Sequence, residues 1–158
     1  MYIPFEQLPS NAKVWIYQSD RKLSETEQRD LADQLTVFID EWTSHSTLLK
    51  ASFAIMHDFF IILAVDNAYT MASGCSIDKS VQFLKSLGKK INVDFLNRLN
   101  ILTLHKGEFL MYDYHSLKEK LINKNIEPAT KIFNNLVESK SDLDSNWLID
   151  VEGSWLKP

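Results

Sequence analysis

The chain has 158 residues, 45% of them hydrophobic and 24% charged, which suits one globular domain that needs neither metal nor disulfide to bury its core. Lysine and arginine number 17 against 21 acidic residues, for a net charge of −4, so the chain lacks the positive field that grips a nucleic acid. The longest apolar run, residues 59–65, falls far short of the roughly 20 residues of a membrane span, and a single cysteine, Cys75, excludes an internal disulfide framework.

The opening Met1-Tyr2-Ile3-Pro4-Phe5-Glu6 carries neither a basic flank nor an apolar stretch of signal-peptide length, so the expected location is the cytoplasm. Val14-Trp15-Ile16-Tyr17 reads as a strand, and the polar run 18–22 as the loop after it. Ser24-Glu25-Thr26-Glu27 matches a capping box, and Leu31, Leu35, Phe38 and Trp42 follow at helical spacing. Residues 51–55 and 59–65 flank His57-Asp58 as a tight hairpin, and the second of these strands is apolar on both faces, which places it centrally.

Ile77, Val81, Leu84, Leu87 and Ile91 keep helical spacing, with Ser73 or Ser76 as N-cap and Gly88 interrupting the helix near its end. Residues 99–104 read as a strand, His105-Lys106-Gly107 as a turn and residues 109–114 as a further strand. Two helices are expected after it, over 116–123 and from Pro128 to Val137.

The order β-α-β-β-α-β, followed by an extra strand and C-terminal helices, is that of a ferredoxin-like two-layer sandwich of the α/β (α+β) class. The expectation is one domain over 1–158, with an α/β core in 1–114 and a helical extension in 115–158 packing on it. The core is expected from Leu35, Phe38, Trp42, Phe53, Ile61, Leu63, Val81 and Leu84. The second sheet face needs a cover, either the C-terminal segment with Trp147 or a second chain in a homo-oligomer.

In that topology the loops 42–50 and 66–78 and the turn at His105 share one end of the sheet. Cys75 would sit there at a helix N-terminus, where backbone N–H groups favour a thiolate, with His45 or His105 as base. Ser73, Gly74, Ser76 and Lys50 could hold an anion at the same place. The plainer reading makes Ser73 and Ser76 caps, Gly74 a turn residue and Cys75 a small buried filler.

Other motifs fail. His45, His57, His105 and His115 have no metal-ligand spacing, so neither a metal nor any cofactor is implied. Asp142, Asp144 and Asn146 begin like a calcium loop, but Trp147 replaces the required glycine and Gly153 the bidentate glutamate, which leaves a solvated acidic turn. Residues 106–112 resemble the aromatic strand of an RNA-recognition domain, with Glu108 where an aromatic belongs.

The block Ser73-Gly74-Cys75-Ser76-Ile77-Asp78-Lys79-Ser80, with Val14-Trp15-Ile16-Tyr17-Gln18, Asp20-Arg21-Lys22-Leu23 and Phe133-Asn134-Asn135-Leu136-Val137, resembles a small bacterial family of unknown function commonly labelled "ABC transporter ATPase". The resemblance implies no catalytic residues. An ATPase of that class needs Gly-x-x-x-x-Gly-Lys-Ser/Thr, and none of the four glycines here is followed by Lys-Ser or Lys-Thr. Two functions are therefore expected in competition: a non-enzymatic binding or assembly domain, or a small thiol-dependent or acid/base enzyme at the Cys75 end.

Overall fold

The computed structural model describes residues 1–156. Among them are four α-helices and three small antiparallel sheets. The chain divides into two units, one made of Met1–Leu96 with Glu138–Ser141, the other of Asn97–Val137 with the residues from Asp142 onward. Among the described residues no helix is long and apolar enough to cross a membrane.

The first unit contains β1 (Lys13–Gln18), α1 (Glu25–Glu41), β2 (Thr43–Ser44), β3 (Thr47–Leu48), β4 (Ala51–Met56), β5 (Phe60–Val65) and α2 (Gly74–Ile91). Its main sheet has the order β1-β5-β4, with β5 antiparallel to both neighbours. β1 and β4 are thus parallel, and α1 is the crossover between them. The capping box forms: Ser24 Oγ accepts the Glu27 N–H at 3.1 Å, and the Glu27 carboxylate accepts the Ser24 N–H at 3.1 Å.

The buried stripe of α1 is Leu31, Leu35 and Ile39, packed with Tyr17, Ile61 and Leu63 of the sheet and Leu84 and Leu87 of α2. Trp42 lies just past the helix as its C-cap, and its indole N–H donates to the Ser76 carbonyl at 2.8 Å. Leu35, Trp42, Ile61, Leu63 and Leu84 are buried as expected, whereas Phe38, Phe53 and Val81 are half-buried at the margin of that core. Val14, Ile16, Phe60, Ile62 and Ala64 on the opposite sheet face are buried too, so β5 has no exposed side.

Both outer edges of this sheet carry added backbone. Along β1, Val14 N–H donates to Glu138 O at 3.0 Å and Lys140 N–H to Ala12 O at 2.9 Å, around an antiparallel bridge between Lys13 and Ser139. Along β4, Ala51 N–H donates to Met1 O at 3.1 Å and Ile3 N–H to Ala51 O at 2.9 Å. The β4–β5 turn holds His57 and Asp58 at φ of 55° and 62°, both left-handed, as a turn matched to strand twist demands. His45 and Ser46, at 50° and 68°, do the same between β2 and β3, a small hairpin that lay hidden in the expected loop 42–50.

Gly88 does not interrupt α2, which continues to Ile91. Asn92 then takes φ 56°, and Val93 N–H turns back to the Gly88 carbonyl at 2.8 Å, a left-handed helix stop.

The second unit holds β6 (Asn100–His105), β7 (Glu108–Asp113), α3 (Tyr114–Ile122), β8 (Lys131–Phe133) and β9 (Leu148–Asp150) in a sheet of order β7-β6-β8-β9. The short α4 (Lys140–Asn146) carries the chain from the first unit into the second. Three expectations are corrected here. The strand at 99–104 does not join the first sheet; as β6 it pairs with β7 and β8. The helix expected from Pro128 to Val137 is replaced by β8, because Ile132 and Phe133 are β-formers that find partners in β6 and β9. The acidic stretch 142–146 is helical rather than a turn, with Leu143 buried.

The core of this unit is Ile101, Leu117, Ile132, Val151 and Leu156. The β6–β7 turn is carried by Lys106 and Gly107 at φ of 50° and 76°.

Candidate functional site

The loop from β5 to α2 is built by side chains that mimic backbone. Asp66 Oδ1 accepts from Ala68 N–H and Asn67 Oδ1 from Ala72 N–H, each at 3.1 Å. Ser73 is the N-cap of α2, its Oγ accepting from Ser76 N–H at 3.2 Å. The Ser76 hydroxyl donates to the Ser73 carbonyl at 2.7 Å, and its own carbonyl is taken by Trp42. Ser76 is therefore spent in the core and Ser73 on the cap.

Cys75 is exposed, so the expected buried filler is corrected. Gly74 has a helical position with open space where a Cβ would stand, so no turn requires it. Lys50 reaches over the Tyr69 ring, with Nζ 6.0 Å from its centroid. Among the described residues, no hydrogen bond joins Cys75 to His45 or Lys50.

His45 sits exposed in the β2–β3 turn, and His105 ends β6 in the second unit. Grouping His105 with Cys75 required β6 to be a strand of the first sheet, and it is not. Burial pushes the His57 imidazole down, with Asp58 beside it acting the other way. No cluster of three or more His, Cys, Asp or Glu among the described residues could hold a metal ion.

A polar constellation that the sequence did not announce surrounds Arg21. Its guanidinium makes a bidentate pair with Glu27, at 2.9 and 2.7 Å, and Nη2 also donates to the Ile91 carbonyl at the end of α2, at 2.7 Å. Gln28 bridges from the Leu23 carbonyl at 3.0 Å to Asp58 at 2.9 Å. These bonds tie the β1–α1 loop to the end of α2 and to the β4–β5 turn. The Arg21 hydrogen bond, followed by those from Ser24, holds Glu27 down at about 2, against an ordinary 4.5.

A depressed carboxylate stabilises the fold above its unfolded value and loses that contribution as pH falls toward its folded one. Stability in urea should therefore drop between pH 4.5 and 2 through Glu27. Glu27→Gln keeps an oxygen for the Ser24 N–H but loses the ion pair with Arg21, so it is expected to cost about 0.5–1 kcal/mol at pH 7 and to flatten that acid limb. An unchanged limb in the variant would assign it to other carboxylates.

The second unit holds a cavity of about 740 Å³. It forms because α3, capped by Asp113 at the His115 and Ser116 N–H groups, stops in a left-handed turn at Lys124. There Asn125 N–H donates to Lys120 O at 2.8 Å and Lys124 N–H to Leu121 O at 3.1 Å. Leu121, Ile122, Ile126, Pro128 and Val151 supply apolar wall, and Lys124, Glu127 and Glu152 supply charge. Spacing alone could not find it, because α3 and the 3-10 turn Val151–Gly153 are far apart in sequence.

No family model matches the sequence, and no curated protein or solved structure matches it either.

Proposed function

We propose that this chain is a non-enzymatic binding or assembly module. The observation that carries the reading is the second unit's cavity, whose volume of about 740 Å³ lies in the range of small-ligand sites and whose walls are apolar with few charges. Nile red, a neutral apolar probe, should bind saturably at one site per chain. Ile122 is 58% exposed, so Ile122→Asp leaves the core intact and should weaken the dye about tenfold, the equivalent of about 1.4 kcal/mol. Non-saturable binding, or binding indifferent to Ile122→Asp, overturns the assignment.

The first unit is read as ferredoxin-like. The β1-α1-β4-β5-α2 order supports this, with Glu138–Ser141 on the free edge of β1 taking the place of the fourth strand and Asn97–Val137 standing as an insertion. A cytoplasmic location belongs to the same reading, and the net charge of −4 argues against nucleic acid as the partner. Membership of the resembled bacterial family is retained, and ATPase activity is disfavoured for want of a phosphate loop.

A thiol enzyme is the second reading, favoured by the exposure of Cys75 in the first turn of α2. Alkylation of Cys75 with an apparent pKa well below the reference of about 8.5, raised in His45→Ala, would support it. A thiol titrating like free cysteine in both proteins removes it.

A further inference from the structure

We infer that the outer edge of β4, beyond Ala51, is a docking site for a short extended segment of another polypeptide, which adds a strand at Phe53 and Ile55. The register decides which backbone groups point outward. Asp66 N–H donates to Lys50 O on the β5 side, so the even residues of β4 face β5 and Ala51, Phe53 and Ile55 face away from it. Ala51 is already engaged there by residues 1–3. The chain then leaves the ladder: Pro4 has no N–H to offer, and Phe5–Gln7 forms a 3-10 turn.

Phe53 N–H and both backbone groups of Ile55 have no hydrogen-bond partner among the described residues, and the Phe53 carbonyl has only Ser52 Oγ at 3.5 Å. Alongside this edge lies a groove of about 470 Å³ between α1 and β4, with Ala32, Phe53 and Ile55 as its floor and Glu25, Gln28 and Arg29 at its rim. Burial follows the same division: Ala51 and Ser52 are buried, and every residue from Phe53 to Met56 is partly exposed.

An added strand supplies main-chain hydrogen bonds, and its alternate side chains fill adjacent pockets. The groove takes one aliphatic side chain. Neither charge on the rim, Glu25 or Arg29, has an ion pair among the described residues. Arg29 stands within one helical turn of Ala32 and Glu25 a turn further away, so the position beside the aliphatic residue, two along on the same face of the added strand, favours a carboxylate.

A second copy of this chain does not suit the edge. A two-fold antiparallel pairing of β4 with itself about Ala54 sets Phe53 against Ile55 and His57 against Ala51, where Tyr2 already lies. Centring the axis on Phe53 brings Ile55 of the copy to that same place, and centring it on Ile55 brings Phe59. A short segment that ends or turns before Ala51 meets no such obstacle. This surface belongs to the first unit and its test is independent of the dye-binding site.

The experiment is amide hydrogen exchange by NMR, with and without the peptide acetyl-Thr-Val-Thr-Glu-Thr-amide. In the free protein, Phe53 and Ile55 amides should exchange quickly while Ser52 and Ala54 are protected. The peptide should protect Phe53 and Ile55 saturably. Ala32→Arg should weaken it about tenfold, as should lysine in place of the peptide's glutamate, and Arg29→Glu should restore binding of the lysine peptide. Protection of both amides without peptide, protection that grows with protein concentration alone, or peptide binding indifferent to Ala32→Arg and to the charge exchange would each overturn the inference.

Discussion

Gly88→Ala should destabilise the protein by about 3 kcal/mol, because the added methyl has nowhere to go. A Cβ on Gly88 would run into the Val93 carbonyl oxygen, and the Phe95 ring lies 3.3 Å from the same point. The Val93 oxygen is backbone, held there by the Val93 N–H bond back to Gly88 and by the left-handed Asn92. Relief therefore requires the helix stop itself to open, exposing Val93 and Phe95, which are both buried. Gly74→Ala is the control: its Cβ meets open space, and stability should change by less than about 0.5 kcal/mol. Urea unfolding of the two variants checks the contrast, and a Gly88→Ala midpoint equal to wild type would mean that the 92–95 turn is not packed as described.

Leu35→Ala is the second large effect, at about 2–5 kcal/mol. Leu35 is fully buried at the centre of the α1 stripe, between Leu31 and Ile39 and against the sheet residues Ile61 and Leu63. Rigid strands and a second helix surround it, so the cavity left by truncation cannot collapse cheaply. Val37, on the same helix and 61% exposed, provides the comparison, and Val37→Ala should lie within about 0.5 kcal/mol of wild type. Denaturant midpoints that do not separate Leu35→Ala from Val37→Ala would show the helix face to be wrongly assigned.

The candidate site was legible only in part. Ser73 as N-cap followed from its place before an apolar helical stripe, and it caps α2. Ser76, from the same motif, turns inward because Trp42 needs its carbonyl, a contact between residues 34 positions apart that no local pattern encodes. Arg21 and Glu27 were visible as a loop residue and a capping residue. Their bidentate pairing, and Arg21's bond to Ile91, depend on the end of α2 arriving beside the β1–α1 loop.

The longer elements of the first unit are legible in its residues, although the short β2–β3 hairpin is not. Alternation and apolar runs placed β1, β4 and β5, the capping box started α1, and helical spacing marked α2, because these signals arise within a few residues of one another. Even there, Ile39 rather than Phe38 completes the buried stripe, a choice made by the sheet against which the helix turns. Tertiary structure decided the rest. Residues 100–105 have the same strand character whichever sheet they join, and hydrogen bonding to β7 and β8 selects the second one. In residues 131–133 the β-preference of Ile132 and Phe133 is too short a signal to outweigh a helical reading, and pairing with β6 and β9 makes them a strand. Backbone hydrogen bonds between distant segments carry no residue code of their own, so strand partnership is settled only when the whole chain satisfies its donors and acceptors together.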